Sequence, residues 1–253
     1  MILADFFTDF FDAGQGWSIL SRWGHVLAGI TWIGLLYFFN FVQTPAFAQM
    51  SPEARSEAMD KITWRALWWF RWAAALTFLT GLSLLGVERY FDSFPDVFNQ
   101  PQGLAIITGV LLATTMFLNV WLVIWPNQQI VIGSARQVMA GGEADVRVGD
   151  AGKKGARASR ANTFFSIAMV WFMVFAPHFA GRGYDLAEAW QRAIYWILLL
   201  VTWGFVELNA LGKIGGYDSP INVQLFNDHR RTIIGGFAYW VLLLIVGWEI
   251  LLR

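Results

Sequence analysis

The chain has 253 residues, 57% hydrophobic and 14% charged, about half the charge of a soluble domain, which argues against a soluble enzyme. Its formal net charge is zero, so there is no bulk electrostatic pull toward nucleic acid. It contains no Cys, which excludes disulfides, thiolate-held iron–sulfur clusters, a Cys nucleophile and covalent haem attachment through C-x-x-C-H.

Residues 1–16 hold Asp5, Asp9 and Asp12 but no Lys or Arg. A secretory signal needs a basic start and a small-residue cleavage site, so this stretch reads as a short amphipathic lead-in at the membrane surface. Six apolar stretches follow, near 17–43, 66–88, 103–125, 161–181, 189–211 and 232–252. Each reaches the roughly 20 residues that cross a bilayer core. Between the third and fourth lies a hydrophilic segment, 126–160, with Gly141-Gly142 and Gly152-Lys153-Lys154-Gly155. That composition suits a mobile loop after one short helix. Fifteen Trp and 22 Phe can supply interfacial aromatic belts. The pattern predicts one all-α domain, an integral membrane bundle of six transmembrane helices in the lipid bilayer.

Loop charge sets the expected orientation. Twelve Lys and Arg follow the first, third and fifth stretches (Arg55, Lys61, Arg65; Arg136, Arg147, Lys153, Lys154, Arg157, Arg160; Lys213, Arg230, Arg231). Five lie on the other side (Arg22, Arg89, Arg182, Arg192, Arg253), with Arg71 inside the second stretch. The positive-inside rule then places both termini outside and the 126–160 loop in the cytoplasm. Gly24, Gly29 and Gly34, Gly109 with Ala113, and Gly235-Gly236 are small residues that permit close helix approach.

Ionisable side chains inside a bilayer are costly, so each is a candidate site. His25 lies about two turns into the first stretch, and His178 lies near the outer end of the fourth. Their expected depths agree, and two His at one depth on different helices could ligate a b-type haem from both faces. Gly29 would leave room for the macrocycle, and Arg22 and Arg182 could meet its propionates. The alternative is a neutral His25 bonded to a neighbouring helix, with His178 an interfacial residue. His229 reads as a surface residue on the opposite side. A second polar group comprises Asn40, Arg71, Asn119, Glu207 and Asn209. Arg71, among Trp68, Trp69 and Trp72, can make cation–π contacts, and pairing with Glu207 would relieve two buried charges. Arg71, Asn119 and Glu207 thus read either as a pocket for a small anion, heterocycle or quinone head group, or as interhelical glue. There is no P-loop, no G-x-G-x-x-G after a strand, no H-E-x-x-H and no G-x-S-x-G.

The run Trp23-Gly24-His25-Val26-Leu27-Ala28-Gly29-Ile30-Thr31-Trp32-Ile33-Gly34 resembles the first-helix signature of the PuuD-type membrane urate oxidases. More distantly it is similar to that of the HemJ-type membrane protoporphyrinogen oxidases. Trp69-Phe70-Arg71-Trp72 resembles a W-F-K-W segment of the PuuD type, with Arg for Lys. Asn119-Val120, Pro126-Asn127-Gln128 and the stretch from Asn162 to Phe179 are similar to later segments in the same order. The resemblance implies a bacterial inner-membrane protein related to the urate oxidase membrane domain. In the HemJ type the first-helix His is associated with haem b, which implies the same for His25. PuuD-type enzymes carry a periplasmic c-type cytochrome domain, and these residues contain no C-x-x-C-H. A separate cytochrome c or a quinone is then the expected electron partner. The leading expectation is a membrane haem-b redox protein that passes electrons from a small reductant such as urate. The competing one is a non-catalytic accessory subunit of a larger respiratory or photosynthetic membrane complex. A small-solute transporter would call for inverted repeats or paired broken helices, and neither is evident.

Overall fold

The computed structural model describes Thr8, Phe10 and residues 15–87, 96–180 and 187–250. Those residues form helices joined by short turns, with no strand among them. The long helices are α1 (Gln15–Tyr37), α2 (Trp64–Val87), α3 (Pro101–Leu118), α4 (Trp125–Met139), α5 (Val148–Phe175), α6 (Ala189–Ala210) and α7 (His229–Val241). Most of the 1–16 lead-in, and Arg182 with it, falls outside the described residues.

Five helical runs are long and apolar enough to cross a membrane: Gly16–Phe47, Pro101–Met139, Val148–Ala180, Ala189–Ala210 and His229–Glu249. The remaining expected span corresponds to α2, which is 24 residues long but is not among these five. It lies antiparallel against α1. Ser21 and Ser83 share a hydroxyl hydrogen bond of 3.0 Å at one end, and Thr63 Oγ1 donates to Gln43 Oε1 at 3.0 Å at the other. The seam is made of small residues: a Cβ on Gly24 or Gly29 would touch only the methyls of Thr80 and Thr77. Gly34, expected on the same seam, faces open space.

The central packing is α3 against α5, antiparallel, where Gly109 admits the Met173 side chain. Tyr195 on α6 meets Thr108 on α3 at 2.6 Å, and Trp203 Nε1 donates to Thr115 at 2.9 Å. The constant offset between these partners makes α3 and α6 parallel. At the α5–α7 crossing, a Cβ on Gly236 would fall 2.8 Å from the Phe164 carbonyl oxygen, so glycine there sets the approach of the two backbones. Trp32, Leu36, Phe70, Leu104, Phe165, Phe172 and Trp248 fill the core, each at most 2% exposed.

The segment expected as a loop is mostly helix. Pro101–Met139 forms one rod and Val148–Ala180 another, leaving only 140–147 between α4 and α5. A rod of 39 residues extends roughly 58 Å, well beyond a ~30 Å apolar core. The hydrophilic sequence remains helical because Ala151, Gly155 and Ala158 are buried, one turn apart. They form a narrow strip that packs on α4, where Gly155 faces Asn127 and Gln128. Lys153 and Lys154 point outward.

Proline does not end these helices either. π-type turns, Phe38–Gln43, Asn119–Ile124 and Ala176–Ala180, directly precede or contain Pro45, Pro126 and Pro177. The wider winding accommodates a residue that lacks an N–H and clashes with the preceding turn.

Candidate functional site

The first candidate centre is the imidazole of His25, half-buried between α1 and α2. Its Nδ1 lies 2.8 Å from the Thr77 carbonyl oxygen and 3.2 Å from Thr80 Oγ1. A carbonyl can only accept, so Nδ1 carries the proton and Nε2 presents its lone pair. The ring rests on Gly81, where a Cβ would come within 3.1 Å of Cε1. Arg22, one turn toward the N-terminus, is exposed.

His178 sits in the π-type turn that ends the α5 rod. It is exposed, and its Nδ1 donates to the Val174 carbonyl on its own helix at 3.1 Å. Tyr37 on α1 and Ser166 on α5 are hydrogen-bonded at 3.0 Å, and Asn40 Nδ2 donates to Ser159 Oγ at 2.8 Å. Each His lies twelve residues from the Tyr37–Ser166 contact, toward the same end of the antiparallel pair, so their heights along the bundle agree. His25 takes its contacts from α2, however, and no described contact joins the two rings.

The second polar group divides in two. Asn119, at the end of α3, uses one side-chain amide nitrogen to donate to Asn162 Oδ1 at 3.0 Å and to Glu207 Oε2 at 3.2 Å. Asn162 in turn donates to the Met116 carbonyl at 2.9 Å. All three side chains are buried, so α3, α5 and α6 are tied by a closed polar knot. Asn209 is also fully buried, and its carbonyl accepts from Asn222 at 2.6 Å. Arg157 and Arg160 both donate to the Phe226 carbonyl, at 2.5 and 2.8 Å, which pins the short helix Pro220–Phe226 over this end of the bundle.

Arg71 does not pair with Glu207. Its guanidinium lies 3.9 Å from the Trp125 ring centroid, with Trp121 and Trp72 at 5.5 and 5.6 Å. Its Nε is buried without a hydrogen-bond acceptor. Glu207 approaches the α3 rod at Asn119 and Arg71 approaches it at Trp121. Side chains two positions apart on a helix point to nearly opposite sides, so the rod itself separates the two charges. The structure thus joins Asn119 to Glu207 and places Arg71 in an aromatic cage.

Asn162, Asn222, Arg157 and Arg160 were not legible as members of this layer. Asn162 follows a basic run that reads as loop, and only the long α5 helix turns it inward. Among the described residues no group of three or more His, Asp or Glu comes together to hold a metal ion.

No curated protein and no solved structure matches the chain. A family model, urate oxidase N-terminal, matches residues 93–206, which span α3, α4, α5 and most of α6. His178, Asn119 and Asn162 fall inside the match, whereas His25, Arg71 and Glu207 lie outside it. The matched segment is less than half of the chain, and over it the sequence is similar to the urate oxidase N-terminal family.

Proposed function

We propose that the chain is a six-span redox protein of the bacterial inner membrane, related in function to the urate oxidase membrane domain, that binds haem b. Its role is to pass electrons from a small reductant such as urate to a quinone or a separate cytochrome c. The family match over residues 93–206 carries this reading. The antiparallel run of α2 along the length of α1 supports α2 as the sixth crossing, and an even number of crossings puts both termini on one face. The surplus of basic loops on the other face supports placing the termini outside.

The residues fit the cofactor in their donor chemistry. Both imidazoles have Nδ1 engaged by a main-chain carbonyl, the arrangement that fixes a ligating His with its Nε2 lone pair outward. His25 and His178 would hold the iron, and Arg22 and Arg182 would meet the propionates. When bound, the haem supplies one-electron chemistry. Thr77 fixes the tautomer of His25, and Gly81 gives its ring the space it occupies.

A reduced-minus-oxidised optical spectrum of the purified chain tests the proposal. A Soret band with paired α and β bands is expected, and it should disappear in His25→Ala. A wild-type protein purified from haem-replete cells without any such band would reject the redox reading. The accessory-subunit alternative would then be supported if the chain copurified with a larger complex.

A further inference from the structure

At the end of the bundle away from His25, an open cavity of about 390 Å³ is lined by Asp60, Lys61, Trp64, Arg65, Trp68 and Arg136. Three cations and one carboxylate line it. Asp60 is held by Lys61 at 2.9 Å and by Arg136 Nε at 2.5 Å, so the single acid is already shared and the cavity keeps a net positive charge. Lys61 and Arg65 are exposed. Arg65 donates to the Lys61 carbonyl at 2.5 Å, a bond that occupies only one edge of its guanidinium. Arg136 lies 4.6 Å from the Trp64 ring centroid, which fixes that cation against an aromatic wall.

The cavity sits where α2 leaves the apolar region. Lys61, in the π-type turn Met59–Thr63 that leads into α2, is followed at helical spacing by Trp64, Arg65 and Trp68 on α2, and Arg71 continues the column about one turn deeper. Trp68 is 47% exposed and Ile62 is 55% exposed. In a membrane-spanning chain this is a basic mouth at headgroup height, with indole rings at the glycerol level and apolar surface beside it.

We propose that this cavity is a binding site for an anionic phospholipid. The phosphate is received by Lys61, Arg65 and Arg136, the glycerol region lies against Trp64 and Trp68, and the acyl chains run along the exposed face of α2. Charge complementarity identifies the occupant, because a zwitterionic headgroup would bring its own cation into a cluster already in excess of positive charge. Two phosphate sources share this chemistry, but only a lipid also uses the apolar column above the cations.

The test measures lipid retained by the purified full chain in nanodiscs made from phosphatidylcholine with a minor fraction of phosphatidylglycerol, read by native mass spectrometry. Selective retention of phosphatidylglycerol is expected. The double variant Lys61→Gln/Arg65→Gln should lower it about 25-fold, from roughly five-fold per basic residue near a membrane surface. Lys153→Gln/Lys154→Gln removes two exposed charges elsewhere and should leave retention unchanged. Equal loss in both variants would overturn the site in favour of diffuse surface charge. Displacement of the lipid by glycerol 3-phosphate at matched concentration would overturn the lipid assignment in favour of a free phosphoester.

Discussion

The side-chain amide of Asn119 donates to the Glu207 carboxyl at 3.2 Å while also donating to Asn162 at 3.0 Å. One residue thereby ties α3 to α5 through an amide oxygen and to α6 through a carboxyl group that has no cationic partner among the described residues.

That geometry separates charge from hydrogen bonding at position 207. Glu207→Gln keeps an oxygen to accept from Asn119 and should leave thermal unfolding in detergent nearly unchanged. Glu207→Leu removes the acceptor and leaves a buried amide hydrogen unsatisfied, at a cost of about 1–3 kcal/mol. Equal unfolding of the two variants would show that the bond contributes nothing.

Gly81 faces the His25 ring closely enough that an added Cβ would stand 3.1 Å from Cε1 and 3.5 Å from Nδ1. Gly81→Ala should push the imidazole a few tenths of an ångström and lengthen its bond to Thr77, at a cost of roughly 1 kcal/mol as a small overpacking change. A shifted His25 ring resonance together with a lower unfolding temperature is the expected signature. On the proposed haem ligation by His25, the Soret position should move as well.

Glycines on different faces should respond oppositely to Ala. Gly236→Ala places a methyl 2.8 Å from the Phe164 carbonyl oxygen and should destabilise by about 1–3 kcal/mol as α7 is forced off α5. Gly34→Ala meets nothing within 4 Å and should be neutral or stabilising by up to ~1 kcal/mol through helix propensity. Paired unfolding curves check the contrast.

Arg147 beside Asp145, through side-chain and then main-chain hydrogen bonds, holds that carboxyl down to about 2. The folded value lies below the unfolded one, near 3.9, so the stabilisation is complete above about pH 4 and fades as pH falls toward 2. Asp145→Asn should therefore show a flatter fall in unfolding temperature across that interval than wild type. Parallel pH profiles would remove Asp145 from the acid response.

Five of the six expected spans were legible as helices long and apolar enough to cross a membrane, because a long apolar run in lipid must satisfy its backbone within one helix. The expected loop at 126–160 was not, because its apolar periodicity is faint. What keeps Val148–Phe175 helical is a strip of Ala151, Gly155 and Ala158, which signals close packing only once α4 lies opposite. Pro126 marked the start of the expected loop, yet a wide turn carries the helix on through it. The proposed Arg71–Glu207 pair followed from charge economy alone. Sequence distance gave no sign that these groups approach different sides of one rod, where three Trp rings surround the arginine. His25 was legible as a buried titratable group, but its tautomer depends on a Thr77 carbonyl 52 residues away.

The π-type turn Asn119–Ile124 gives the α3–α4 rod a point of angular slack. Its six residues cover about the same rotation as five residues of ordinary helix. Losing one residue inside it would therefore restore ordinary winding with the Trp125 indole still under Arg71 and Asn119 still gripping Glu207. The wide turn thus absorbs one residue of chain length without disturbing either contact.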